Sequence, residues 1–174
     1  MSELTVRAAQ LDDLDRIVEL RLALLREYRD HPLYASLRSD ADARARDLYA
    51  AQLVARDETM LLAERDGRIV GVLRCVDALA SPLLLPERYC YVSSAYVLPG
   101  ERRRGVLRAL LASAEAWCAA RGLKEMRLHN AASAFGAAAA WHTLGFEVVE
   151  EVRRRVLPTT TQTRDTTHAH AGAR

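Results

Sequence analysis

No run in the 174 residues approaches the roughly 18 uncharged apolar positions of a membrane-spanning helix, so no membrane partner is expected. The start, Met1-Ser2-Glu3-Leu4-Thr5, lacks a basic segment followed by an apolar run, and no secretory signal is expected. Charge of one sign is also lacking. The net value is only +2, which does not suggest a nucleic-acid partner. Cysteine is scarce: Cys75, Cys90 and Cys118 are odd in number and widely spaced. They fit reduced thiols in a cytoplasm better than a disulfide framework or a zinc site, so no metal is expected. Internal repeats are absent. What remains is ordinary globular composition, 50% apolar and 28% charged, at the size of one domain with a single core.

Periodicity sets the expected elements. Thr5-Val6-Arg7 reads as a short strand. From Asp12 and Asp13, the residues Leu14, Ile17, Val18, Leu22, Leu25 and Tyr28 recur at spacings of three and four, a helix face that His31-Pro32 stops. Ser39 or Asp40 can cap a second helix running to about Arg56. The period then shortens to that of strands. Met60 to Ala63 and Ile69 to Leu73 flank Asp66-Gly67, which tolerates positive φ and signals a hairpin. After a loop with Pro82 and Pro86 around Leu83-Leu84-Leu85, Tyr89 to Leu98 reads as a strand ended by Pro99-Gly100.

A helix from Gly105 places Val106, Leu107, Leu110, Leu111, Ala114, Trp117 and Cys118 on one face, with Gly122 as its left-handed cap. Met126 to His129 reads as a strand, Ala134 to Leu144 as a helix closed by Gly145, and Phe146 to Leu157 as a last strand. Residues 158–174 hold almost no large apolar side chains and read as a disordered tail. The order β-α-α-β-β-β-α-β-α-β makes residues 1–157 a single mixed α/β (α+β) domain.

Pro99-Gly100-Glu101-Arg102-Arg103-Arg104-Gly105-Val106-Leu107 sits where a strand turns into a helix. Such a turn exposes backbone N–H groups without intrahelical partners, and the helix dipole adds positive potential. Gly105 lets a ligand approach the backbone, and the arginines add charge, so an anion such as pyrophosphate suits the place. The second triplet, Arg153-Arg154-Arg155, lies in an expected strand without glycine or helix start and reads as a solvated face. Gly100 and Gly105 also have the spacing of a nucleoside-triphosphate loop. Val106-Leu107 follows instead of Lys-Ser or Lys-Thr, so that reading fails.

Val97-Leu98-Pro99-x-x-Arg102-Arg103-Arg104-Gly105-Val106 resembles the acyl-CoA signature of the GNAT superfamily of N-acetyltransferases. Ala140-Trp141-His142-Thr143-Leu144-Gly145-Phe146 resembles the family's second signature. The likeness covers about residues 4–157 and implies a mostly antiparallel central sheet, flanked by helices, whose fourth and fifth strands splay apart. It implies acetyl-CoA as acyl donor, its pyrophosphate on the backbone of Arg102, Arg103, Arg104, Gly105, Val106 and Leu107. The main chain of Tyr96, Val97 and Leu98 would pair with the pantetheine arm. The sequence departs from the family at Leu107, where Gly or Ala is usual, and at Ala134, where an asparagine often meets the cofactor arm. Trp141 stands where a tyrosine usually acts as general acid, and an indole N–H cannot release its proton at neutral pH.

Proton-transfer candidates are His129 at the end of the fifth strand, His142 beside Trp141, and Glu87 and Tyr91 on the fourth strand. An activated cysteine is discounted, because Cys118 is on an apolar face and Cys90 has no basic partner beyond Arg88. The acceptor would be the amine of a small molecule, amino acid or peptide, meeting the first two helices and the Leu79 to Arg88 loop. Tyr28, Asp30, His31, Tyr34, Asp40 and Asp42 lie there, and the acidic ones could attract a cationic amine. A non-catalytic acyl-CoA-binding module is the alternative, and nucleic-acid binding through the arginines a third reading. Exposed edges or an apolar face could support a homodimer.

Overall fold

The computed structural model describes residues 3–131 and 136–157. Strand β1 (Leu4–Ala8) leads through a 3-10 turn into α1 (Leu14–Glu27), and α2 (Ala41–Val54) follows. Then come β2 (Glu58–Arg65), β3 (Arg68–Leu79), β4 (Arg88–Val97), α3 (Val106–Ala120), β5 (Met126–Leu128) and α4 (Ala137–Thr143). The five-stranded sheet has the order β1-β2-β3-β4-β5, antiparallel throughout except that β5 runs parallel to β4. Parallel neighbours need a crossover, and α3 supplies it.

Both faces of the sheet are covered, which is why β2 and β3 read as near-continuous apolar runs. Leu61, Ala63, Leu73, Cys75, Cys90 and Val92 pack with Val106, Leu110, Ala114 and Cys118 of α3. Met60, Leu62, Val72 and Tyr96 point the other way, against Ile17, Leu20, Leu22 and Tyr49 of α1 and α2. Gly71 of β3 is what allows α3 to lie this close: a Cβ there would come within 2.9 Å of Val106 Cγ1.

The turns follow their sequence signals. Asp66 and Gly67 both have positive φ, 51° and 70°, as a two-residue type I′ hairpin requires. Helix α3 closes in a Schellman motif. Gly122, at φ 71°, donates to the Ala119 carbonyl over 3.1 Å, and Leu123 N–H donates to Cys118 over 3.0 Å. Helix α4 closes the same way, with Gly145 N–H on the His142 carbonyl and Phe146 N–H on that of Trp141, each 3.0 Å. The Phe146 and Trp141 rings then meet edge-on at 5.3 Å. Leu144-Gly145-Phe146 is thus a helix stop with its apolar clasp.

Some expectations change. Asp40 stands at the start of α2, but its carboxylate binds Arg38 and Arg44 at 2.8 and 2.7 Å rather than capping the helix. The last strand does not form: from Glu147 to Leu157 the chain is irregular and exposed, unpaired with the sheet. Strand character depends on a ladder partner more than on propensity, and charged residues interrupt the valines of this segment so that no wholly apolar face is offered to the chain's own sheet. The expected helix from Ala134 begins at Ala137, and Ala134 itself, like the expected tail, lies outside the described residues. Among the described residues, no helix is long and apolar enough to cross a membrane.

Candidate functional site

The site begins with a mismatch between β3 and β4. Arg74 faces Ser93 and Val72 faces Tyr96, so β4 carries one more residue than β3 across this interval. The excess is a β-bulge, and Ser94 within it has φ 53°. Pairing between β4 and β5 ends just before, at Val92 opposite Leu128. Beyond Val92 the strands part, and among the described residues no strand takes the open edge of β4. Leu98 N–H donates to the Val70 carbonyl over 3.0 Å. By the two-residue alternation, Tyr96 also turns its backbone groups to β3, and Val97 turns its own into the wedge.

At the wedge's end the chain turns through Pro99–Glu101 into α3. Arg103 and Gly105 both have positive φ, 59° and 83°. The first helical bond is Ala109 N–H to the Gly105 carbonyl at 3.0 Å. Among the described residues, no backbone acceptor meets the amides from Arg103 to Arg108. Successive amides in such a turn form an anion-binding concavity, reinforced by the positive end of the α3 dipole. The space above is open, since a Cβ added at Gly105 would meet nothing within 4 Å.

The arginines divide the work. Arg102 donates to the Val97 carbonyl at 3.0 Å and to both carboxylate oxygens of Glu27 at 2.9 and 2.7 Å, with its guanidinium 5.6 Å from the centre of the Tyr96 ring. Glu27 also accepts the Tyr96 hydroxyl at 2.7 Å. Burial, then that hydrogen bond, pushes the Tyr96 phenol up to about 12. Arg104 pairs with Glu101 at 3.0 Å. Arg103 makes no ion pair among the described residues and stays exposed. Beneath the turn lies Arg65 of β2, only 9% exposed, which donates to Glu101 at 2.6 Å and to the Arg104 carbonyl at 3.1 Å.

On the other wall the Tyr91 hydroxyl lies 3.1 Å from His129 Nδ1. Burial raises the Tyr91 phenol, as do Tyr34 and Tyr89, against the opposing pull of Arg74 and Arg21. Arg74 holds Ser93 Oγ at 3.3 Å and pairs with Glu58. The α1–α2 connection brings an aromatic cluster, with Tyr34 stacked on His31 at 4.9 Å and 5.9 Å from Tyr28.

A family model for the acetyltransferase (GNAT) family matches residues 19–146. The chain belongs to the GNAT family. Its fold is shared by a GCN5-related N-acetyltransferase from Ralstonia eutropha JMP134, at 23% identity and TM-score 0.69, over 88% of this chain and 99% of that one. A predicted acetyltransferase from Clostridium acetobutylicum, solved with acetyl-CoA, is 16% identical at TM-score 0.72, covering 88% and 96%. Aminoglycoside N-acetyltransferase AAC(6')-Iy, solved with CoA, is 22% identical at TM-score 0.73, covering 90% and 96%. No curated protein sequence matches the chain.

In this GNAT chain the other candidates are scattered. Glu87 is exposed just before β4, at the strand end away from the wedge. His142 is exposed on α4, and Trp141 packs on Phe146 of its own turn. Val106 is buried, and Leu107 leans into the α3 core. The acidic residues near the first helices are partly spoken for, Asp40 by Arg38 and Arg44 and Asp42 facing Arg26 at 3.9 Å. All three cysteines are buried and free. Hydrogen bonding with Cys75, then burial, raises the Cys90 thiol, and burial lifts that of Cys118 to about 12, so neither of these two is poised as a nucleophile. Glu27, Arg65 and Glu101 escaped sequence reasoning. Glu27 and Arg65 lie far along the chain from the turn they brace, and Glu101 sat inside the motif without a partner to mark it.

Proposed function

We propose that the chain transfers the acetyl group of acetyl-CoA to a primary amine of a small molecule, amino acid or peptide, by direct attack, in a cytoplasm that keeps its thiols reduced. The observation that carries this reading is the run of unpartnered amides from Arg103 to Arg108 beside the open edge of β4. The amides and the Arg103 guanidinium would hold the pyrophosphate, and Val97 N–H the pantetheine arm. Arg102 would act mainly by fixing the turn, since its side chain is engaged by Glu27 and Val97.

When bound, acetyl-CoA supplies the thioester carbonyl under attack. A backbone N–H of the bulged strand would stabilise charge developing on that oxygen. Tyr91 and His129 form the proton-handling pair. As the Tyr91 hydroxyl gives its proton to His129 Nδ1, it can accept one from the attacking amine, and the imidazolium then holds a proton for the leaving thiolate. General acid–base help of this kind is worth about 10²–10⁴-fold in rate.

The test is thiol release from acetyl-CoA across a broad amine panel, with calorimetry of CoA binding on the same protein. Binding with turnover, lowered in kcat by Tyr91→Phe and His129→Ala, is the expected result; absence of CoA binding overturns it. A second reading, a non-catalytic acyl-CoA-binding module, is favoured by Trp141, whose ring is spent on the α4 cap at the position of the family's usual acid. Tight binding without turnover would select it.

A further inference from the structure

Helix α1 carries an arginine where its apolar stripe calls for a leucine. Leu14, Ile17, Arg21, Leu24 and Tyr28 follow one another at spacings of three, four, three and four, so they share the face turned to the sheet. Arg21 is half-buried there. The helix's other arginines are matched, Arg16 with Glu19 and Arg26 facing Asp42 at 3.9 Å, whereas Arg21 has neither ion pair nor hydrogen bond among the described residues.

The sheet beneath α1 changes character along its length. By the two-residue alternation, Glu58, Arg74, Tyr91 and Ser93 share the face of Met60, Leu62 and Val72, so an apolar floor gives way to a polar one. On that floor Arg74 is spent on Glu58 and Ser93, and Glu27 is held by Arg102 and Tyr96. The charges of Arg74 and Arg21 both act on the Tyr91 hydroxyl, and Tyr34 approaches it from the α1–α2 connection. One cation therefore remains unmatched beside the proton-handling pair. That sign is the reverse of what an acceptor with positive charge alone would need.

We infer that Arg21 binds a carboxylate carried by the acceptor, so that the amine acetylated here belongs to an amino carboxylic acid. This rests on the acetyl-transfer reading and narrows it. A guanidinium and a carboxylate match through two parallel N–H···O bonds, with the amine of the same molecule toward Tyr91 and His129. Polyamines and neutral amino sugars lack that anchor and are poor acceptors.

The test compares the twenty free amino acids with their carboxamides as acceptors, on the full chain with saturating acetyl-CoA. The best amino acid should exceed its carboxamide about tenfold in kcat/KM, the worth of one charge-assisted hydrogen bond. Arg21→Leu should raise KM for that acid by the same factor, leave kcat and the carboxamide unmoved, and keep or raise the denaturation midpoint, because leucine suits the stripe. Arg21→Lys, a point charge without the fork, should keep part of the preference. Carboxamides used as well as acids, or Arg21→Leu weakening both equally, would overturn the proposal. If nothing turns over, the acetyl-transfer reading fails and the site is read by binding. N-acetyl amino acids should then raise the Tm of the CoA-loaded wild type and not that of Arg21→Leu, and equal shifts or none in either protein overturn the site.

Discussion

The chain contains the run Arg-Arg-Arg twice, and the two runs lead different lives. At 102–104 the run lies between a 3-10 turn and α3, on a backbone with two left-handed residues. Two of its guanidiniums are clamped, by Glu27 and Glu101, and Arg65 braces the turn from beneath. At 153–155 the run lies on irregular, exposed chain, and among the described residues its ion pair is that of Arg153 with Glu151, two positions away. Identical side chains therefore carry different meaning. What makes the first run a site is the fixed backbone and the carboxylates that neutralise the outer arginines, leaving the amides and Arg103 toward an anion.

The first turn depends most on what lies beneath it. Arg65→Ala strips the brace from Glu101 and the Arg104 carbonyl and should cost about 3 kcal/mol of stability, read as a shifted denaturation midpoint, with weaker CoA binding. Gly71→Val drives a side chain into Val106 at the root of α3, a loss of about 2 kcal/mol by the same measurement. Gly105→Ala leaves packing untouched and penalises only the left-handed backbone, by about 1–2 kcal/mol, with CoA affinity falling in step.

The sharpest contrast sets Arg103→Ala beside Arg154→Ala. Both should leave monomer stability within about 0.5 kcal/mol, as exposed substitutions do. By calorimetry, Arg103→Ala should lose about tenfold in CoA affinity, the worth of one charge-assisted hydrogen bond, and Arg154→Ala nothing. The smallest effect concerns pH. The Tyr96 phenol rises from its ordinary value of about 10 to about 12 on folding. Its contribution is complete below the lower value and is lost as pH climbs through the higher one. The slope of stability over that alkaline window should be shallower in Tyr96→Phe than in the parent protein.

Much of this was legible in the residues themselves. Asp66-Gly67, Gly122 and Gly145 announced their turns because each requires positive φ, and the near-continuous apolar runs of β2 and β3 suit strands covered on both faces. The turn at Gly105 was legible because strand, glycine and helix face lie consecutively. The braces were not, since Glu27 reaches Arg102 from a distant helix and nothing local distinguishes it from other surface carboxylates. The bulge at Ser94 was hidden too, because serine carries no signal for a left-handed backbone. The segment from Phe146 misled, since propensity speaks for a strand but cannot name its neighbour.

The contact between β4 and β5 is brief. They share three residue pairs, Cys90 with Met126 through Val92 with Leu128. A joint this short works as the pivot of a pair of tongs, with the α3 crossover as its spring. A guest lying along the free edge of β4 would extend the ladder past the pivot and lock the jaws at a fixed spacing. Amide exchange at Val97 would then slow with the guest in place, while exchange at the pivot barely changes.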